Sequence, residues 1–479
     1  LKESEIRSLV GQVFAGRMAP DPSSLDLRRF PAANYIVFKD VMAATLEESS
    51  ARMRTCKALL KDRGIEPLLM MDEEGGRVTQ ISGVFPPTPS SAALAHVLAP
   101  NEAGDLYAHL SRALAALGVD VNLAPCTDVN TEPLNPVIGT RSFGTDSDSV
   151  TRYAQAFIEA SRPHIACIAK HFPGHGMTNV DSHLDLPLVA MAREDLESVH
   201  IAPFDAVIRL GIDGIMVSHC RYSAIQTDSH PASLSRDVVE GVLRKELGFD
   251  GLVITDSLDM DAVTLNMGAG EAARRALDAG VDMLLYTGDP KRFREAFETI
   301  VEDVVRGRIT RGRLERSVLR RQAVLDRLAV RPSPTGPPPH RRYLELRHRV
   351  LSASVRMNDP TGILPLPGAP AACVTTNPDF VKDCDLQTAG LEEITAADQA
   401  RDRVLLLWLL EPLRLGLNME TIHRMIEASR LSVVVTSYQA LANLLDVCDA
   451  GIVTEDTTPE TQCSILRGLF GQEPPQGKS

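Results

Sequence analysis

Ile165-Ala-Cys-Ile-Ala169 runs directly into Lys170-His171-Phe172-Pro173-Gly174-His175-Gly176, and Asp181-Ser182-His183 follows closely. The apolar run has strand length, and the Pro/Gly break behind it forbids a continuing helix. Polar side chains crowded where a strand ends are poor core material. They suit the rim of a (β/α) barrel. The rest of the first 330 residues repeats this layout. Apolar runs at Tyr35–Phe38, Pro67–Met71, Val119–Ala124, Gly214–Ser218, Gly251–Thr255 and Val281–Tyr286 alternate with amphipathic helical stretches such as Glu271–Gly280. Such alternation predicts a parallel sheet with covering helices. Val10–Phe14 reads either as an eighth strand or as the tail of a helix. Polar ends recur at Asp72-Glu73-Glu74, Ser218-His219 and Asp256-Ser257. An open doubly wound sheet would gather its site at one switch point. Polar ends on many strands predict a TIM-like (β/α) barrel with its site at the C-terminal face.

Arg331-Pro-Ser-Pro-Thr-Gly-Pro-Pro-Pro339 is too rich in proline to continue a helix or a central strand, and it reads as a stiff linker. Beyond it come a basic helical stretch and apolar runs at Ala372–Thr376, Val404–Trp408, Leu431–Thr436 and Gly451–Val453. The expected organisation is a catalytic barrel over 1–330, a linker over 331–340 and a small α/β domain over 341–479. A chain of 479 residues is too long for one ordinary core, which agrees with that division.

The formal net charge of −13 argues against nucleic-acid and anionic-membrane partners, because phosphate binding needs basic surface. No apolar stretch is long enough to span a bilayer. The eight cysteines are scattered, without a Cys-x-x-Cys pair, so a reducing compartment and no metal framework are expected. The sequence shows no charged-then-apolar leader, so the cytoplasm is the expected location, with a removed leader as the alternative because the first residue is Leu1 and not Met. There is no Gly-rich dinucleotide or phosphate loop, and no cofactor is expected.

Several residues could carry chemistry. Asp256 closes the apolar strand Gly251–Thr255, so its carboxylate would project from the barrel floor. Its plain alternative is a helix N-cap. Asp259 and Asp261 read as solvated helix residues. Asp181 and His183 form a carboxylate–imidazole pair on a loop, and a histidine titrates near working pH. A zinc site from His171, His175, Asp181 and His183 competes, but Phe172-Pro173-Gly174 breaks the helix that would align the first two ligands. His175 then reads as a turn residue, and Arg77 as a brace of the barrel.

Taken together, these stretches resemble glycoside hydrolase family 3, in its β-N-acetylglucosaminidase branch. The segment Lys170 to His183 is similar to the branch signature. Phe249-Asp-Gly-Leu-Val-Ile-Thr-Asp-Ser-Leu-Asp-Met260 is similar to its nucleophile motif, with Ser257 where members often carry a second Asp. Met71–Val78, Asn122–Asp128, Gly139–Gly144, Met216–His219 and Pro231–Ser235 follow in the family's order, so the resemblance covers about residues 34 to 290. It implies a retaining exo-β-N-acetylglucosaminidase acting on a small-molecule or oligosaccharide substrate with terminal GlcNAc. Asp256 would be the nucleophile, and His183 the acid/base oriented by Asp181. Asp72, Arg141, Lys170, His171 and His219 would bind the sugar, while Asp128 carries less weight as a site residue, with a structural role as its alternative. No metal is implied. Transfer to phosphate or to another acceptor in place of water, a family β-glucosidase and a non-catalytic sugar-binding protein are the other readings.

Overall fold

The computed structural model describes residues 2–24, 26–133, 135–178, 186–265, 267–331 and 341–353. Beyond these it describes six strands of the C-terminal part, spanning 355–358, 371–375, 392–393, 404–409, 431–436 and 450–454. Asp181 and His183 lie outside the described residues, as does the linker from 332 to 340.

Among the described residues ten strands precede the linker: β1 (Phe14–Arg17), β2 (Asn34–Ile36), β3 (Leu68–Met71), β4 (Val121–Asn122), β5 (Ala166–Phe172), β6 (Leu188–Val189), β7 (Gly214–Val217), β8 (Arg221–Tyr222), β9 (Leu252–Ser257) and β10 (Met283–Tyr286). Eight of them close into a barrel in the order β1-β10-β9-β7-β5-β4-β3-β2. Every neighbouring pair in it is parallel. The expected barrel is therefore observed. The short pair β6–β8 lies above it as a separate two-stranded sheet. The ambiguous stretch Val10–Phe14 is split. Val10 lies in the last turn of the helix Glu3–Gly11, and Phe14 begins β1.

Alternation along each strand sorts side chains into two cores. Ala15, Ile36, Leu68, Met70, Val121, Ala166, Ile168, Met216, Leu252, Ile254, Met283 and Leu285 fill the barrel interior. Their alternates, such as Leu69, Cys167 and Val253, face the surrounding helices. The lower end is closed by the helix Arg311–Ala329, whose Val324, Leu325 and Leu328 pack on the interior cluster. Arg321 of that helix donates to Asn34 Oδ1 at 2.7 Å and to the Glu66 carbonyl. Arg320 and Ser317 hold the buried Asp282 from the same side. With the lower end plugged, the upper, C-terminal mouth is left for a site.

The helix Arg341–Ala353 packs back on the barrel. Tyr343, Leu346 and Val350 are buried within its outer core. Tyr343 Oη donates to the Pro86 carbonyl at 2.7 Å, and Arg347 Nε to the Pro87 carbonyl at 2.8 Å. The later strands form a sheet of six, all neighbours parallel except the first pair. Four of these strands fall on the four apolar runs named above.

The cysteines at 56, 126, 167 and 220 are free and buried. No helix among the described residues is long and apolar enough to cross a membrane.

Candidate active site

Side-chain parity decides what reaches the mouth. Leu68 and Met70 point inward on β3, Ala166 and Ile168 on β5, and Leu252 and Ile254 on β9. Asp72, Lys170 and Asp256 continue those inward positions by one more step. They form the polar layer that tops an apolar interior. Asp256 lies within β9, and the next helix starts at Asp261 behind Met260, so Asp256 is not a helix N-cap. Its Oδ1 accepts from the Ser257 amide at 2.7 Å.

Lys170, 2% exposed, contacts Asp72 Oδ1 at 2.6 Å and Glu74 Oε1 at 2.5 Å. Burial alone would lower its pKa, but the Asp72 and Glu74 charges outweigh that and raise it. The ammonium stays charged. Arg141 grips Glu74 with two bonds of 2.8 Å, from Nε and Nη2. Bidentate pairing of this kind fixes direction as well as charge. Burial pushes the Glu74 carboxyl up, yet Arg141 and Lys170 together hold it well below the usual carboxylate range. Glu74 thus aims both cations, a role not foreseen from the sequence. Its signal was one of charge balance: two basic rim residues needed a buried acid besides Asp72.

His171 is oriented from both sides. Its Nδ1 lies 2.7 Å from Asp128 Oδ2, and Arg141 Nη2 lies 3.2 Å from its Nε2. A guanidinium only donates, so Nε2 accepts and Nδ1 carries the proton. Asp128 also accepts from the His171 amide at 3.1 Å, the His175 amide at 2.6 Å and Cys126 Sγ at 3.2 Å. Burial would raise its carboxyl, but His171 and His175 outweigh that and hold it at about 2. Asp128 is the hub that ties the strand end to the loop behind it. His175 bonds Thr178 Oγ1 through Nδ1 at 2.8 Å, and burial pushes its imidazole down to about 4. It is a turn residue, as expected. Gly174, at φ +132°, passes so close to His200 that a Cβ there would meet it at 2.9 Å.

Cys126, Asp128 and His171 bring three ligand-type atoms within 4.8 Å of one another. This cluster suits a metal poorly. Asp128 Oδ2 already accepts three hydrogen bonds, and the Arg141 guanidinium faces the free lone pair of His171.

His219 is buried with both ring nitrogens engaged by protein, at Ser233 Oγ (2.7 Å) and the Ser257 carbonyl (2.9 Å). Arg77 donates to the Val137 carbonyl and braces the adjoining loop. Asp259 corrects an expectation. It is not solvated but only 11% exposed in its side chain, accepting from the Gly288 amide at 2.9 Å beside Arg292. The turn after β9 folds back on the turn after β10, which the helical reading of Asp259 missed.

Two predictions arise here. Glu74→Gln keeps the shape but leaves Lys170 and Arg141 buried with too little negative charge. Removing one partner of a buried ion pair costs about 3–5 kcal/mol. A urea titration should show a loss of that order, together with a fall in kcat/KM. The second concerns Glu73. Its Oε2 accepts from Thr79 Oγ1 and the Gln80 and Ile81 amides, while Oε1 is buried without a partner among the described residues. Burial pushes this carboxyl from 4.5 up to about 7. The folded state then holds the proton more tightly than the unfolded one, so stability falls as pH rises from 4.5 to 7 and then levels off. Glu73→Gln should remove about 3 kcal/mol of that decline, read as the difference between wild-type and variant unfolding curves.

A closed parallel barrel, plugged below and topped by a charged inward layer, defines a (β/α)-barrel enzyme scaffold. The glycosyl hydrolase family 3 N-terminal domain matches residues 33–324, and the chain belongs to that family. It is 30% identical over 380 residues to beta-hexosaminidase A of Pseudoalteromonas piscicida, an alignment covering 73% of this chain and 63% of that one. The chain thus spans less than two thirds of the length of that relative. It is 35% identical over 291 residues to a beta-hexosaminidase of Methylococcus capsulatus, covering 58% and 82%. Among solved structures, it is similar to a family 3 β-N-acetylglucosaminidase from Paenibacillus sp. FPU-7. The TM-score is 0.79 at 26% identity, over 98% of each chain.

Proposed function

We propose that this chain is a retaining exo-β-N-acetylglucosaminidase that removes terminal β-linked GlcNAc through a glycosyl-aspartate intermediate. The observation that carries the reading is the inward layer of Asp72, Lys170 and Asp256 at the mouth of a family 3 barrel whose similar relatives bear β-hexosaminidase names. Asp256 attacks the anomeric carbon as the glycosidic bond to the leaving oxygen breaks. His183 donates its proton to that oxygen. His183 then takes a proton from water, whose oxygen displaces Asp256 and regenerates the carboxylate. Asp181 orients the imidazole and favours its charged form. Asp72, held by Lys170, presents acceptors for the sugar hydroxyls, and Lys170, Arg141 and His171 complete the binding wall. Buried groups of this kind discriminate well, because a missing hydroxyl leaves them unpaired.

The test is a pair of nitrophenyl β-glycosides, one of GlcNAc and one of glucose, assayed with and without inorganic phosphate. Preference for the GlcNAc substrate, with free GlcNAc as product in both buffers, supports the reading. Preference for glucose, or a sugar phosphate as the product, overturns it.

A further inference from the structure

His219 joins elements that the sequence keeps apart. It follows β7 and is 1% exposed. Its Nε2 faces the carbonyl oxygen of Ser257, which only accepts, so Nε2 carries a proton. The Ser257 carbonyl thus fixes the tautomer of the neutral ring, and Nδ1 accepts from the Ser233 hydroxyl, which holds the other side of the ring. Ser233 is itself anchored, its amide donating to the Ser218 carbonyl at 3.1 Å. The ring is thus held from the β7 side and gives its hydrogen to the residue next to Asp256. From the β10 side the same turn is tied by Ser257 Oγ to Thr287 Oγ1 at 2.9 Å and by the Leu258 amide to the Leu285 carbonyl at 2.8 Å.

We propose that His219 is a positioning residue for Asp256, not a sugar-binding group. Its bond to Ser257 keeps the turn after β9 from rotating and so keeps the carboxylate aimed along the barrel axis. The inference rests on the reading of Asp256 as nucleophile. It differs from the sugar-contact role that the resemblance implies for His219.

The experiment uses the full-length chain with His219→Leu, His219→Gln and Ser233→Ala. Two quantities are read. One is the rate of covalent labelling by a fluorinated N-acetylglucosaminyl fluoride that traps the glycosyl-enzyme. The other is the inhibition constant of GlcNAc. A small misplacement of a reacting group costs up to about a hundredfold, so His219→Leu should slow labelling by about ten- to a hundredfold. GlcNAc inhibition should stay within about threefold of wild type, since no ground-state contact is lost. Gln, whose amide can reach the Ser257 carbonyl, should recover most of the rate. Ser233→Ala removes the second anchor of the ring and should fall between. If the leucine variant does not fold, the serine variant carries the test with the same two readouts. Labelling at the wild-type rate, or GlcNAc inhibition weakened in step with labelling, overturns the proposal. A label found on a residue other than Asp256 in the wild type overturns the nucleophile reading and this inference with it. That failure is told apart because it shows without any substitution.

Discussion

Asp256→Asn should abolish turnover and leave the fold intact. The substitution is nearly isosteric, and the amide oxygen can still accept from the Ser257 amide. What is lost is the anion that attacks the anomeric carbon. Covalent catalysis splits one hard displacement into two easier ones, and both need this group. The expected loss in kcat on an activated aryl GlcNAc is at least about a hundredfold, ~2.7 kcal/mol of transition-state stabilisation. Thermal unfolding should move little, because the amide keeps the size of the carboxyl and the contact with the Ser257 amide. A variant that retains more than about a hundredth of the activity would remove Asp256 from the nucleophile role.

The second large effect depends on the leaving group. His183→Ala should slow glycosylation by ~10² to 10⁴ when a sugar hydroxyl departs, because that oxygen needs a proton in the transition state. A nitrophenolate departs readily without one, so the first step should then be much less affected. Deglycosylation still needs a base. The covalent intermediate should therefore accumulate, and azide, which needs no deprotonation, should rescue turnover as the glycosyl azide. Asp181→Ala should act the same way but more mildly, since the imidazole remains and loses only its orientation. Equal losses on good and poor leaving groups, with no azide rescue, would assign the proton transfer elsewhere.

The barrel was legible because its signals are local. Each inner strand is a short apolar run bounded by polar or Gly/Pro residues, and that contrast survives without knowledge of partners. β1 was half hidden because Val10-Gly11-Gln12-Val13-Phe14 is short and mostly apolar, and the helix ends at Gly11, inside the run. Lys170, Asp72 and Asp256 were legible as strand ends, and their inward parity follows from the apolar pattern before them. Glu74 and Asp128 were underweighted for a different reason. Asp128 gathers atoms from residues 171 and 175, and Glu74 is gripped by Arg141 and Lys170, so their roles come from contacts across 40 to 100 residues. Charge compensation over such separations has no period along the chain. His219 shows the same limit. A histidine after a strand looks available for a ligand until both ring nitrogens are seen to be engaged.

The helix Arg341–Ala353 bears on where this catalytic unit ends. Its Tyr343 and Arg347 hold the carbonyls of Pro86 and Pro87, and the next residues, Thr88 and Pro89, crowd Gly75 in the loop that carries Asp72 and Glu74. A cut in the proline run would sever this brace from the loop while leaving every named catalytic side chain in place. Composition draws the border at the prolines; mechanical support draws it after residue 353. Anyone trimming the protein to its barrel would do better to keep that helix than to follow the visible seam.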